Sequence, residues 1–341
     1  MGRILVVNAG STSLKLSLVD EDETREPVAA LAGVDPDGLD AVAHRVVHGG
    51  PDFRDPVVVD GGVRETIRRL EELAPLHNAP AVRGLDEATA ALGGVPHVAV
   101  FDTAFHTTIP AEASTYAVPR RWRDEWGIRR YGFHGLSVQW AAERVPVPRL
   151  VVCHLGGGCS VTAIRDGRSV DTTMGFSPLE GVPMATRSGS VDPGALLHLL
   201  HAGRLDADGL DQALNHESGL AGLAGTPDVR ELEARSDENA ALALAVFSYR
   251  VAGAVAAMAV ATGGLDALVF TAGIGEGSAL VREHVCERLA PLGVELDRAL
   301  NAAAVPDADV SPPGAPARVA VIEAREDVVA ARAARGVLAG R

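Results

Sequence analysis

The sequence predicts an α/β protein made from a duplicated domain, and three observations carry that reading. A strand, a Gly/Ser-rich turn and a return strand open the chain at residue 4, and the same theme recurs at residue 150. Short apolar, β-branched runs alternate with segments of helical period. The length of 341 residues, 47% of them hydrophobic and 22% charged, suffices for roughly two domains at the usual ~100–200 residues each. A theme met twice so far apart points to a doubled domain rather than a short repeat array.

The elements follow in order. Ile4 to Val7 is an apolar run, and Leu14, Leu16 and Leu18 alternate with polar residues. Between them Asn8 and Gly10 to Ser13 form a turn whose N–H and hydroxyl groups suit an anion. Lys15 beside it is the single lysine of the chain. Ala41 to Val47 reads as a buried strand ending at the turn His48-Gly49-Gly50-Pro51. Glu65 to Leu73 and Pro80 to Leu92 have helical period. Val95 to Asp102 is a strand that places Asp102 at its C-terminal end, where open α/β sheets collect ligands. Thr103 to Pro119 reads as loop, and Arg120 to Arg130 as a basic, aromatic solvated or interface surface. Leu150 to Leu155, the turn Gly156 to Ser160, Val161 to Ile164, the hairpin turn Asp166-Gly167 and Ser169 to Thr173 make the second meander. Met174 to Pro193 is a long Gly/Pro/Ser loop carrying Arg187, of a length that is usually functional. Ser236 to Glu238 caps a long Ala-rich helix. Its Arg250 marks it as a buried core helix rather than a membrane span. Ala267 to Thr271 is a strand that runs into the Gly-rich loop Ala272 to Ser278 and a helix from Ala279. Val319 to Ile322 is the last strand, before Glu326 and a C-terminal helix.

The net charge of −14 argues against nucleic acid or an anionic membrane as the main partner. Any phosphate must be bound by local devices. Three cysteines without CxxC spacing fit a reducing, cytoplasmic setting. Three Gly-rich turns directly after strands exceed what punctuation needs, yet none has the GxGxxG or Walker A pattern. Arg45, Asp102, His134, Arg187 and Glu326 fall at strand ends and in Gly loops. Each alone reads equally as packing or capping. Together they are the inventory of phosphoryl transfer: cations to spread the charge of the moving group, and acids to hold a divalent metal.

Taken in order, NAGSTSLK, HRVVHGG, APLHNAP, VFDTAFH, YGFHG, HLGGGCS, TMGFSPLEGV, ATRSGSVDP and FTAGIGEG closely resemble the acetate kinase family of the sugar kinase, Hsp70 and actin superfamily, over Arg3 to about Arg332. The resemblance implies two actin-like (ribonuclease H-like) domains related by duplication with an active-site cleft between them, expected at residues 1–105 plus 328–341 and at 106–327. It implies transfer of the ATP γ-phosphoryl group to acetate with Mg²⁺, or alternatively Mn²⁺, in a cytoplasmic homodimer. Asn8 and Glu326 would hold the metal, and Lys15 would join the phosphate network. Arg45, Asp102, His134 and Arg187 would be catalytic, with Arg45 also binding the acid. Val47, Leu76, Phe133 and Pro178 would line the methyl pocket. His154, Leu155, Gly156, Gly157, Gly158, Asp228, Val229, Arg230, Gly273, Ile274, Gly275, Glu276 and Gly277 would take the nucleotide.

The residues agree with such a substrate. A carboxylate is already ionised at neutral pH, its reference pKa being about 4, so it needs charge neutralisation by arginine rather than a base. The chain departs from the family pattern at Gly157 and Gly277, where Asn is usual, and at Val229, where an aromatic is usual. The segment around Glu326 matches loosely. These departures keep pyrophosphate open beside ATP as donor. Propionate and butyrate kinases, a non-catalytic actin-like ATP-binding module and, most distantly, a dehydrogenase are the rival readings.

Overall fold

A computed structural model describes residues 2–9, 14–72 and 75–340, with the side chains of residues 72 and 75–77 outside the described set. The anion-binding turn expected at Gly10 to Ser13 and the pocket residue Leu76 therefore lie outside the described residues. The chain divides into two compact units, Met1–Thr107 with Phe133–Trp140 and Arg325–Arg341, and Thr108–Gly132 with Ala141–Ala324.

The first unit is built on a six-stranded sheet of β1 (Arg3–Ala9), β2 (Leu14–Val19), β3 (Arg25–Val28), β4 (Leu39–Val46), β5 (Val57–Val58) and β6 (His97–Phe101), in the order β3-β2-β1-β4-β6-β5. The meander β1-β2-β3 is antiparallel, β1, β4 and β6 are parallel, and β5 returns antiparallel to β6. Ile4 to Val7 are buried, as a strand covered on both faces requires. The helix Pro75–Ala91 and the C-terminal helix Glu326–Ala339 both pack on β1 and β4. Gly84 permits the first contact, because a Cβ there would lie 3.3 Å from the side chains of Ala9 and Leu14. The helix Gly61–Arg69 starts on Asp60, whose carboxylate accepts from the Val63 N–H at 2.8 Å.

The second unit repeats the plan. Strands β7 (Arg149–Leu155), β8 (Cys159–Arg165), β9 (Arg168–Thr172), β10 (Ala267–Thr271), β11 (Ala308–Asp309) and β12 (Arg318–Val321) are ordered β11-β12-β10-β7-β8-β9. Substituting β7 for β1, β8 for β2, β9 for β3, β10 for β4, β12 for β6 and β11 for β5 reproduces every pairing and its direction. The expected duplication is thus present strand by strand. The hairpin turn falls at Asp166-Gly167, both with positive φ (49° and 77°), as a type I′ turn demands. The long helix Glu238–Thr262 begins on Asp237, whose carboxylate accepts from the N–H groups of Asn239 and Ala240, and ends at the left-handed Gly263. It differs from the expectation of a buried core helix. One face packs on β7 and β8, while Leu242, Tyr249 and Val260 are exposed by 54%, 64% and 81%, and Arg250 stands exposed as well. Arg130 also departs from the surface expected of its segment. It is mostly buried, pairs with Glu180 at 3.0 Å and donates to the carbonyls of Thr173 and Met174.

Two histidines lie inside the first sheet. His44 of β4 and His97 of β6 are both buried, with His44 Nε2 and His97 Nδ1 2.8 Å apart. Burial, reinforced by His97, lowers the His44 pKa to about 3. A base whose folded pKa lies below its unfolded value stabilises the fold fully above about pH 6.5, and that stability erodes as pH falls toward the folded value. Each pH unit lost in that window costs up to roughly 1.4 kcal/mol. Replacing both rings together by leucine should flatten the dependence of the urea unfolding midpoint on pH between about 6 and 4. Parallel curves for the double variant and the parent would refute a role for the pair.

Candidate active site

In the first unit the candidate side chains come from adjacent strands in one row. Asn8 of β1 lies opposite Lys15 of β2 on one side and opposite Arg45 of β4 on the other. Laterally paired residues share a sheet face, so register alone aligns the amide, the exposed ammonium and the guanidinium. Asp102 follows β6 directly and is fully buried. Its Oδ1 accepts from Arg45 Nε at 2.8 Å and its Oδ2 from Nη2 at 2.6 Å, the two-pronged geometry that makes such pairs strong. Arg45 Nη1 lies 2.7 Å from Glu326 Oε2 and donates to Asn8 Oδ1 at 3.2 Å. Asn8 Nδ2 in turn donates to Glu326 Oε2 at 3.4 Å. Glu326 opens the C-terminal helix, so the last helix of the chain brings the second acid to the first sheet.

The electrostatics follow from this packing. Burial alone would lower the Arg45 pKa, but Asp102 and Glu326 reverse the effect and the net shift is upward. Burial raises the Glu326 carboxyl; Arg45 opposes this, Asp102 adds to it, and the balance is upward.

His134 sits beside this cluster. Its backbone is left-handed (φ 59°), and the next residue, Gly135, donates its N–H to the Asp102 carbonyl at 3.0 Å. A Cβ on Gly135 would lie 2.0 Å from that oxygen, so only glycine permits the approach. Phe133 is buried and meets the His48 ring edge-on at 5.3 Å. Val47 next to His48 is half-buried.

In the second unit the Gly-rich segments converge. The β7–β8 turn closes with the Gly156 N–H on the Gly158 carbonyl at 3.0 Å, and a Cβ on Gly156 would lie 3.5 Å from the Ala272 Cβ. His154 and Leu155 are buried at the end of β7. Ala272 to Gly277 is a short helix rather than the expected loop. Glu276 fastens it, accepting from the N–H groups of Ala272 at 2.8 Å and Ala324 at 2.9 Å. Gly273 and Gly277 are exposed, Ile274 is half-buried and Gly275 buried.

The Arg187 loop reaches the same place. Ala185 donates its N–H to the Gly157 carbonyl at 3.4 Å, and Arg187 Nη1 donates to the Pro178 carbonyl at 3.1 Å. Burial lowers the Arg187 pKa. Asp228 caps the short helix Val229–Glu233 and is held two-pronged by the exposed Arg230, while Val229 points into the core.

Three residues in supporting positions escape sequence reasoning. Asn78 bridges the His48 backbone, with its Oδ1 accepting from the N–H and its Nδ2 donating to the carbonyl, both at 3.0 Å. His106 Nε2 lies 2.9 Å from the Phe133 carbonyl. Arg282, 1% exposed, donates to the carbonyls of Gly275 and Glu276 and to Asn301. Asn78 and His106 lie within the motifs APLHNAP and VFDTAFH, the one available signal. Arg282 lies outside every motif.

A profile described as the Acetokinase family matches residues 32–332. An acetate kinase of Deinococcus deserti is 49% identical over 317 residues, covering 88% of this chain and 79% of that protein. An acetate kinase of Rippkaea orientalis is 42% identical over 346 residues, covering 95% and 85%. Among solved structures, a propionate kinase from Francisella tularensis superposes with a TM-score of 0.89 at 33% identity, covering 98% of this chain and 99% of that one. The acetate kinase of Porphyromonas gingivalis gives 0.88 at 31%, covering 99% and 100%.

Proposed function

The chain belongs to the acetokinase family, a family of phosphotransferases, and from that premise we propose that it is an acetate kinase, moving the γ-phosphoryl group of ATP reversibly onto the carboxylate of acetate. The observation that carries the acceptor class is the commitment of Asp102. Both of its oxygens are engaged by Arg45, so it is poorly placed to act as a base. A sugar hydroxyl needs a base to take its proton. A carboxylate needs none, and its obstacle is repulsion from the polyphosphate. Arg45 in the first unit and Arg187 in the second are the cations that would cancel it, and His134 would stabilise charge on the group in transit. Val47 and Phe133 would supply apolar surface for the methyl group, with Pro178 and Leu76. The turn at Gly156 to Gly158 and the short helix carrying Gly273 to Gly277, with Asp228 to Arg230 and Lys15, would take the nucleotide.

Asn8, Asp102 and Glu326 offer oxygen donors only, and they already surround one cation, the Arg45 guanidinium. The Glu326 carboxylate and the Asn8 amide oxygen suit Mg²⁺, or Mn²⁺, with the rest of its shell to come from phosphate oxygens and water. Asn8 and Glu326 would hold the ion, which neutralises phosphate charge when bound. A homodimer fits the long helix, where the exposed Leu242, Tyr249 and Val260 recur on one face, since exposed apolar surface can mark an interface. A cytoplasmic location fits three buried, free cysteines.

An acyl-hydroxamate assay with Mg²⁺ tests the reading. Acetate and propionate should react and butyrate poorly, with ATP preferred over GTP and pyrophosphate. A clear butyrate preference would defeat the acetate assignment, a pyrophosphate preference the ATP assignment, and no product from any acid the kinase itself. Arg187→Ala should lose ~3 kcal/mol or more of transition-state stabilisation, read in kcat/KM. Turnover close to that of the parent would show the residue to be misassigned.

A further inference from the structure

We propose that His106 is a positioning residue for His134, an inference that rests on the role given to His134 above. A non-glycine residue in the left-handed region costs about 1–3 kcal/mol and persists where its surroundings hold it. His134, at φ 59°, is held on both sides by one segment. The carbonyl before it, of Phe133, faces His106 Nε2 at 2.9 Å. The N–H after it, of Gly135, donates to the Asp102 carbonyl at 3.0 Å. His106 lies four residues beyond Asp102 on the short 3₁₀ turn Ala104–Thr108. Asp102 and His106 thus fix the peptides flanking His134, while the Asp102 side chain fixes Arg45.

The imidazole suits the task. It is 2% exposed, and burial lowers its pKa to about 4, so the ring is neutral at physiological pH and its Nε2–H tautomer donates to the carbonyl. Losing that donor leaves a buried carbonyl unpaired and frees the 133–134 peptide to rotate, carrying the His134 ring with it.

Kinetics of His106→Leu and His106→Gln, in the parent and in a His134→Ala background, test this. In the parent, H106L should lower kcat by about 10-fold or more with KM for ATP within about 3-fold, and H106Q, which retains an N–H donor, should recover most of the loss. In the His134→Ala background neither substitution should lower kcat further, because the side chain being positioned is gone. Equal losses in H106L and H106Q, or losses that multiply with that of H134A, would overturn the proposal. If H106L does not fold, H106Q in the two backgrounds still decides, since any loss it shows must vanish with His134. A His134→Ala variant with the parent's turnover would instead remove the role given to His134.

We further infer, from the separate observation of how Arg45 is occupied, that metal and acceptor binding are coupled through its guanidinium; this too rests on the proposed function. Of the five N–H donors of arginine, Asp102 takes those of Nε and one of Nη2 and Asn8 takes one of Nη1, and the same Nη1 forms an ion pair with Glu326 Oε2 at 2.7 Å. One Nη2 donor is left, and a carboxylate held end-on needs Nη1 as well. A cation held by Glu326 and Asn8 competes with Arg45 for the same oxygens and releases Nη1 to the acid.

Acetate affinity, followed by the NMR line width of its methyl group, should be at least about 10-fold tighter with Mg²⁺ and ADP than with ADP and a chelator. Glu326→Ala should bind acetate in chelator several-fold tighter than the parent does, with little further response to Mg²⁺. An acetate affinity indifferent to Mg²⁺ in the parent, or weakened in chelator by Glu326→Ala, would overturn the coupling. Absence of acetate binding under every condition would fail the acetate assignment instead.

Discussion

The pair between Arg45 and Asp102 is the interaction on which the first unit's site depends. A carboxylate as buried as Asp102 would be costly without a partner, and a guanidinium matched on two prongs is the partner that compensates best. The pair sets the geometry around it. Asp102 fixes one edge of Arg45 and leaves the Nη1 end to Asn8 and Glu326. The Asp102 backbone carbonyl fixes Gly135, and through it His134. The pair also leaves Asp102 poorly placed to act as a base, since both of its oxygens accept from Arg45.

Duplication explains why the two halves of the chemistry are so unlike. The strand orders are identical, yet the equivalent strand ends carry different residues. In the first unit β4 and β6 end near Arg45 and Asp102. In the second, the equivalent β10 and β12 end at Thr271 and Val321, and the β7–β8 turn is glycine. Charged side chains at strand ends suit a small anion that must be gripped. Exposed glycine backbone suits a chain of phosphates, whose oxygens accept N–H groups without selecting a side chain. Under the proposed function, one topology would therefore supply a side-chain site and a backbone site.

Much of this was legible in the sequence because strands declare themselves by β-branched runs and because the motifs sit where those runs stop. Ala41 to Val47, Val95 to Asp102 and the second meander were placed within a residue or two, and Asp166-Gly167 was read as a hairpin turn from its composition. The failures have physical causes. Ala272 to Gly277 looks like a loop because glycine disfavours helix; Glu276, which accepts two N–H groups, and Arg282, which binds the carbonyls of Gly275 and Glu276, supply what propensity lacks. Arg130 reads as surface from its basic neighbours, and only the fold brings it Glu180. The long helix reads as core because composition cannot tell a buried apolar face from an exposed one. His106 and Asn78 act through backbone groups far away in sequence, and no local pattern announces a contact of that kind.

An acidic protein with a single lysine must still hold a polyanion, and burial is what makes that possible. A solvent-exposed cation is screened within about a Debye length, ~8 Å at physiological ionic strength, and a net charge of −14 would oppose a phosphate at long range. Arg45 and Arg187 are instead largely withdrawn from water, the first between two acids and the second against the Pro178 carbonyl. In a medium of lower effective dielectric each charge acts more strongly at contact than it would at the surface. The same withdrawal obliges each guanidinium to keep fixed partners, which is why the arginines are held by the protein before any anion arrives. The acidic exterior repels other anions, while the buried arginines would act on the substrate only at contact.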